Sequence, residues 1–515
     1  MLKHPNIIII QTDQLSACSL GLYGNPVVKT PSLEKLAESG VLFKYAFCNY
    51  PACVPSRASM LTGRYAHTIR SHANFIHLHP DERTIVHVLK DNGYQTALIG
   101  KNHAFTDGGD HAFFPGVHGR EDIKTDALHT AFDHVQEAFH GHRVEGWEHD
   151  PEVKQAHEWA IKHCWKAPLA YGTNPYSYKK CGSYLLGEAT IDYLRHRRDK
   201  DKPFFLWLSY PDPHTPYQAP EPYASMYNPD TIPLPPKDTL ENKPERQKVA
   251  HLMDAMDMAD DDLIKKIRAI HYGMTNAVDD SIGRVLKELE AQNLKESTII
   301  VFTSDHGDSM GAHGLIQKHN AFYDTITQVP LIISWPSHIE PQVTDELAEL
   351  VDIVPTLLDL AGLQSPFGVQ GRSLKQFLEK DSRYTPKEFV VVESGEHGEP
   401  MKVSDITVRP ENPFDERYFV WCAYRDAWYG KGKSIRTHQW KLNVYDNGDV
   451  ELYNLLTDPD ELINLGYNKE YAEIIHELEG KLLRWSIDNE DRIPDNTTIK
   501  LNYEKYKSNK NKDEQ

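Results

Sequence analysis

Apolar and polar positions along the chain alternate between two periods. Residues 6–11 form an unbroken run, Asn-Ile-Ile-Ile-Ile-Gln, that gives way to polar Thr12-Asp13-Gln14. A β-branched run of this kind predicts a buried strand, and polar groups at its C-terminal end stand where open α/β sheets place their ligands. Residues 32–40 carry helical spacing (Leu33, Leu36, Ala37), with Gly40 as the expected stop. The alternation continues with a helix over 84–92, a strand over 95–99, and a strand over 204–209 that runs out into Tyr210-Pro211-Asp212-Pro213-His214. A long helix is expected over 269–292, with Ile282, Val285, Leu286 and Leu289 on one face. A strand over 298–303 ends in Ser304-Asp305-His306-Gly307, and a strand at 330–334 and a helix at 353–363 follow. Strands alternating with helices predict an α/β fold with a mostly parallel sheet sandwiched by helices.

Two stretches depart from this rhythm. Residues 108–178 are rich in His, Gly, Asp and aromatics and weakly periodic. They are expected to be an insertion of loops and short helices over the active face, with their histidines (His111, His140, His142, His149) dispersed rather than grouped as ligands. From residue 386 the pattern shifts to short strand-like pieces at 388–392, 418–424, 433–436, 440–444 and 450–454, with Asn447-Gly448 as a hairpin turn and a helix over 469–488. The expected organisation is a catalytic domain over 1–385, a smaller α+β domain over 386–504 and a disordered charged tail over 505–515.

Composition narrows the function classes. The chain has 515 residues, 40% hydrophobic and 25% charged, as in an ordinary globular enzyme with a large core. Its 56 basic and 75 acidic residues give a net charge of −19, which argues against a nucleic-acid or anionic-membrane partner but leaves room for a local basic pocket. The apolar run at 7–10 is too short for a signal segment and no stretch approaches a membrane span, so a cytoplasmic location is expected. The six cysteines are sparse and without zinc-type spacing, so a disulfide scaffold is not expected.

One of those cysteines opens the stretch Cys53-Val54-Pro55-Ser56-Arg57-Ala58-Ser59-Met60-Leu61-Thr62-Gly63-Arg64. This resembles the signature of the formylglycine-dependent sulfatases, of the alkaline-phosphatase-like superfamily. The resemblance implies that a maturation enzyme oxidises Cys53 to formylglycine, whose hydrate attacks sulfur and then releases sulfate by C–O cleavage. It implies a divalent metal, calcium or manganese, held by Asp13, Gln14, residue 53, Asp305 and His306. Gln14 and His306 stand where the commonest family pattern has Asp and Asn. Arg57 matches the arginine that supports the formylglycine. Lys101 and His103, in Gly100-Lys101-Asn102-His103, match a sulfate-binding lysine and the histidine that takes the diol proton. His214 matches the histidine beside the leaving oxygen, and Lys318 the second sulfate-binding lysine. Asn74 lies where some relatives contact substrate, whereas His313 and His319 are expected to be structural. Similarity continues through Leu350–Leu363 and the C-terminal segments.

The implied function is hydrolysis of sulfate monoesters, with a sulfated carbohydrate as the default substrate and a small aryl or alkyl sulfate as the other. Two rivals share the scaffold: a phosphonate monoester or phosphodiester hydrolase, and a non-enzymatic carbohydrate-binding protein. The second is disfavoured because every aligned catalytic position holds a competent residue. A zinc-type phosphatase would need Ser or Thr at position 53.

Overall fold

The fold is taken from a computed structural model, which describes residues 4–74, 76–105, 126–141, 143–164, 167–319, 321–396, 398–406, 411–412 and 430–490. Its centre is a nine-stranded sheet in the order β11-β2-β10-β9-β1-β7-β3-β4-β5. The strands are β1 (Asn6–Thr12), β2 (Gly40–Phe47), β3 (Gln95–Gly100), β4 (His134–Phe139), β5 (Arg143–Val144), β7 (Phe204–Ser209), β9 (Thr298–Ser304), β10 (Leu331–Ser334) and β11 (Gln342–Glu349). A small pair, β6 (Tyr171–Asn174) and β8 (Tyr217–Pro220), stands apart. The run β9-β1-β7-β3-β4 is parallel throughout, while β10 is antiparallel to both β9 and β2.

The unbroken apolar runs read from the sequence become the central strands because both faces of the sheet are covered. Alternate residues of β1 go to opposite cores. Ile8 and Ile10 pack with Leu33 of α1 (Pro31–Ala37) and with Val278, Ile282 and Val285 of a 31-residue helix, Asp261–Ala291. Ile7 and Ile9 pack with Ile85 and Leu89 of the helix Ile85–Asp91 and with Val354 and Leu357 of the helix Ile353–Leu360. The sandwiched architecture expected from the alternation is therefore present.

A second sheet is antiparallel: β12 (Val390–Ser394), β13 (Gly432–Arg436), β14 (Trp440–Tyr445) and β15 (Val450–Asn454). The Asn447-Gly448 turn joins β14 to β15. The helix Ala472–Glu490 covers this sheet with Leu478, Leu482 and Trp485, which also meet Tyr65 and Val351 of the main body.

Several local expectations need correction. Gly40 does not stop a helix but begins β2, where a Cβ would stand 2.5 Å from the Ile333 carbonyl oxygen. The long helix starts at Asp261, not 269, where the Asp260 side chain caps the Leu263 amide. The described part of 108–178 is not mainly loop, since it supplies β4 and β5 to the main sheet and a helix, Pro151–His163. β4 escapes a periodicity reading because its residues are mixed in polarity and mostly half-buried near the sheet edge. The expected strand over 418–424 and the tail over 505–515 lie outside the described residues, as do 108–125. Among the described residues, no helix is long and apolar enough to cross a membrane.

Candidate active site

Four neighbouring parallel strands deliver their C-terminal ends to one place. β1 runs between β9 and β7, and β3 lies beyond β7, so Thr12 pairs with Ser304, Gln11 with Ser209, and Ser209 with Gly100. The residues that follow these ends are Asp13 and Gln14, Asp305 and His306, Tyr210 to His214, and Lys101. Gly100 is obligatory here: its φ is +114°, and a Cβ would stand 1.9 Å from the Ser209 carbonyl oxygen.

The helix α2, Cys53–Thr62, enters over these strand ends with Cys53 as its first residue. Asn74 Oδ1 accepts the Val54 amide at 3.1 Å, which ties the helix start to the 70s loop. Arg57, one turn later, lies fully buried on the same face as Cys53. Its Nε donates to Asp305 Oδ2 at 2.8 Å, Nη2 to Asp13 Oδ2 at 3.2 Å, and Nη1 to Ser209 Oγ at 2.7 Å and the Lys101 carbonyl at 3.1 Å. One planar guanidinium thus pins four strand ends.

Arg57 takes the Oδ2 atoms of the two aspartates, and their Oδ1 atoms turn to the other side. There His306 Nε2 stands 3.8 Å from Asp13 Oδ1, 3.7 Å from Asp305 Oδ1 and 3.2 Å from Cys53 Sγ. His306 Nδ1 meets the Gly307 carbonyl at 2.9 Å, which leaves Nε2 with its lone pair toward the cluster when the ring is neutral. One ligand atom from each of Asp13, Cys53, Asp305 and His306 lies within 4.8 Å of all the others, and all four residues are buried. Gln14 Nε2 donates to Asp308 Oδ2 at 2.6 Å, so its Oε1 faces inward, 3.3 Å from Lys318 Nζ.

Two lysines flank the sulfur. Lys318 Nζ donates to Cys53 Sγ at 3.1 Å and to His214 Nε2 at 2.9 Å. Lys101 Nζ donates to Asp13 Oδ2 and, at 2.9 Å, to His140 Nε2. His214 and His140 stack, with ring centroids 4.0 Å apart. His103 faces Cys53 from the third side, its backbone in the left-handed region at φ 52°. The acids, lysines and Cys53 are buried, whereas His103, His140 and His214 are only half-buried, so the histidines form the mouth.

The electrostatics favour an anion at position 53. Burial alone would raise the Cys53 thiol, but Lys101, Lys318 and His306 hold it well below the usual thiol range. Burial and Cys53 push Asp13 up, and Lys101, His214 and Arg57 outweigh them, leaving it at about 2. Burial and Lys101 bring His103 down to about 3, and burial and Lys318 lower His214. Burial opposes a charge on His306, yet Asp305 raises it: the carboxylates call for positive charge at that spot.

Every site residue expected from the sequence is therefore within one neighbourhood, with Asn74 at its edge. His313 pairs with Asp238 at 2.9 Å and His319 with Asp254 at 3.0 Å, away from the sulfur contacts. Three participants escape the sequence reading. Ser209 holds Arg57. Asp308 accepts Gln14 and Tyr217 on one oxygen and the Met310 and Gln317 amides on the other, shaping the loop that carries Lys318. His140 was expected to be a dispersed histidine; the signal that finds it is its place immediately after a strand parallel to β3.

Known proteins resemble this chain over most of its length. The family model described as Sulfatase matches residues 5–363. An arylsulfatase of Clostridium perfringens is 29% identical over 503 residues, spanning 93% of this chain and 95% of that protein. An N-acetylglucosamine-6-O-sulfatase of Bacteroides thetaiotaomicron is 25% identical over 556 residues, spanning 96% and 88%. The crystal structure of a phosphonate monoester hydrolase of Agrobacterium radiobacter superposes with a TM-score of 0.75 at 24% identity, over 94% of this chain and 96% of that one. A match running from the first strand through the helix Ile353–Leu360 and past its end places this chain in the sulfatase family of sulfuric ester hydrolases.

Proposed function

We propose that this enzyme hydrolyses sulfate monoesters of a carbohydrate, using Cys53 oxidised to formylglycine and a divalent cation. The observation that carries the reading is the position of Cys53 Sγ, at once 3.2 Å from a histidine of a cation-ligand cluster and 3.1 Å from a lysine. The sulfur marks where the nucleophilic oxygen of the oxidised side chain stands. The sugar substrate is supported by the Bacteroides thetaiotaomicron relative, which is named for a sulfated amino sugar.

The donor set fits a divalent cation. Two carboxylates, an imidazole with its second nitrogen engaged and an inward-facing amide oxygen suit calcium or manganese, the histidine softening an otherwise oxygen-rich site. Asp13, Gln14, Asp305 and His306 would hold it, and it would supply Lewis-acid polarisation of the sulfate and of the nucleophile. The oxidised residue 53, made by a maturation enzyme, supplies a hydroxyl nucleophile that does not leave a stable sulfate ester behind.

The remaining work falls to this chain's own side chains. Arg57 fixes the Oδ2 oxygens of Asp13 and Asp305 and backs the nucleophile with permanent charge. Lys101 and Lys318 bind sulfate oxygens from opposite sides. His214 exchanges a proton with the leaving oxygen at Nε2, because Nδ1 is engaged with the Thr215 carbonyl at 2.6 Å. His103 faces residue 53 and takes the proton there that frees sulfate.

Peptide mass spectrometry of the active enzyme tests the nucleophile: aldehyde is expected at position 53, with activity tracking the converted fraction. Full activity with only thiol at 53 would refute it. The phosphonate ester reading is favoured by the Agrobacterium radiobacter fold match. Paired kcat/KM values on sulfate and phosphonate monoesters of one alcohol decide between the two, sulfate being the preferred class expected.

A further inference from the structure

Lys101 and Lys318 each donate to a histidine Nε2 at 2.9 Å, and the two imidazoles stack at 4.0 Å with planes 26° apart. The arrangement is a chain, Lys101–His140–His214–Lys318, across the mouth of the site. Three of its members are accounted for above; His140 is not. It follows β4, beyond Ala138 and Phe139, while Lys101 follows the neighbouring parallel strand β3. We propose that His140 is a positioning residue, which aims the Lys101 ammonium at the sulfate and backs the His214 ring. The inference rests on the sulfatase reading above.

An ammonium has donors only, so the 2.9 Å contact requires a lone pair on His140 Nε2 and therefore the proton on Nδ1. Lys101 is then held between two acceptors, Asp13 Oδ2 and His140 Nε2. Lysine reaches its site on a flexible four-carbon stem, and a point charge on such a stem needs external contacts to fix its direction. With Asp13 as the sole acceptor, the ammonium settles against the carboxylate. A second acceptor on the mouth side pulls it toward the space above Cys53, where an incoming sulfate oxygen has to be met. The stack gives His140 a second effect. It closes one face of the His214 imidazole, whose other restraints are the Thr215 carbonyl and Lys318. A histidine kept only for packing would touch neither ammonium nor general acid.

A double-mutant cycle on enzyme with confirmed conversion of Cys53 tests this. His140→Leu keeps bulk without the acceptor, and His140→Gln restores an oxygen within reach of Lys101. On an aryl sulfate, where leaving-group protonation matters least, His140→Leu is expected to lower kcat/KM about 10–100-fold. His140→Gln should recover most of that loss, and Lys101→Ala combined with His140→Leu should be no worse than Lys101→Ala alone, within about threefold. Circular dichroism and Tm establish that each variant folds; if His140→Leu does not, His140→Asn, too short to reach Nζ, completes the same cycle. Losses that add fully, no recovery with Gln, or a near-normal His140→Leu beside a crippled Lys101→Ala would each overturn the role of His140 and leave the sulfatase reading standing. A near-normal Lys101→Ala would overturn the sulfate-binding assignment itself, and this inference with it.

Discussion

Asp13 and Asp305 do two jobs with two oxygens each. The Oδ2 atoms neutralise buried Arg57 and the Oδ1 atoms face the cation-ligand cluster. Asp13→Ala and Asp305→Ala are therefore expected to lose bound metal and activity together, read by elemental analysis and turnover. Their costs have different sources. Asp305 Oδ1 also accepts the Gln14 and His306 amides, at 3.1 and 2.9 Å, so Asp305→Ala orphans two buried N–H groups besides weakening the compensation of Arg57. Asp13→Ala instead strands the Lys101 ammonium along with Arg57, and each variant should cost several kcal/mol. Retained metal with normal turnover in either variant would remove that residue from the ligand set. His214 and Lys318 separate by leaving group. His214→Ala should lower kcat/KM on sugar sulfates about 10²–10⁴-fold more than on activated aryl sulfates, because a sugar alkoxide needs a proton and a phenolate does not. Lys318→Ala, which in the proposed mechanism removes a contact to the sulfate itself, should lower both classes alike. Equal losses for His214→Ala would mean that it only binds sulfate. The assigned residues were legible because each belongs to a short motif at a strand or helix end. Asp308, Ser209 and His140 were not, since their roles lie in what they hold, and a chain alone does not display that.

Among the elements, the central strands were the most legible. β1, β7 and β9 are buried on every residue, and each meets that demand with an unbroken apolar run through its middle and polar residues only at its ends. β11 was invisible because it begins at the sheet edge with exposed and half-buried residues, Gln342 to Glu346, all polar but Val343, where no pattern is imposed. β2 was hidden by Gly40, which looks like a helix stop and works as a close-approach glycine. Close approach also makes β3 testable. Gly100→Ala puts a Cβ 1.9 Å from the Ser209 carbonyl oxygen at φ +114°, forcing β3 and β7 apart just where Arg57 binds both. Overpacking and backbone strain together should cost more than about 2 kcal/mol and most of the activity. Gly93 is the control: its φ is +85°, but a Cβ there meets nothing within 4 Å. Gly93→Ala should cost only about 1 kcal/mol, the conformational part, with kcat unchanged. Equal urea midpoints for the two variants would mean that the strand contact is not what demands glycine at position 100.

At the scale of the whole molecule, buried charges tie the C-terminal sheet to the main body. Lys441 of β14 donates to Asp324 Oδ1 at 2.7 Å and to Glu461 Oε1 at 2.6 Å, and Glu461 Oε2 accepts the Asp324 amide at 2.6 Å. Lys243 adds a bond to the Glu461 carbonyl at 2.7 Å and Arg436 one to Asp324 at 3.2 Å. Asp324 lies six residues beyond Lys318, so this cluster ties the segment after Lys318 to the C-terminal sheet. No motif marks it; it exists only when segments more than a hundred residues apart meet. Lys441→Met keeps the volume and removes the shared cation, leaving two adjacent buried carboxylates. Breaking such a group costs about 3–5 kcal/mol. Its pH dependence has a definite sign. Burial raises Glu461 from 4.5 to about 7, with Lys441 the leading influence that lowers it. A carboxyl raised on folding contributes stability that is full below about 4.5 and lost as pH rises through about 7. Without Lys441 the folded value climbs further, so the loss continues to higher pH in the variant after it has levelled off in the wild type. The deficit should be largest near pH 8 and narrow steadily toward pH 5.5, as Glu461 takes up a proton and the repulsion with Asp324 disappears. Denaturant midpoints at a series of pH values measure it directly. A deficit that stays constant with pH would assign the loss to packing around Lys441 rather than to its charge.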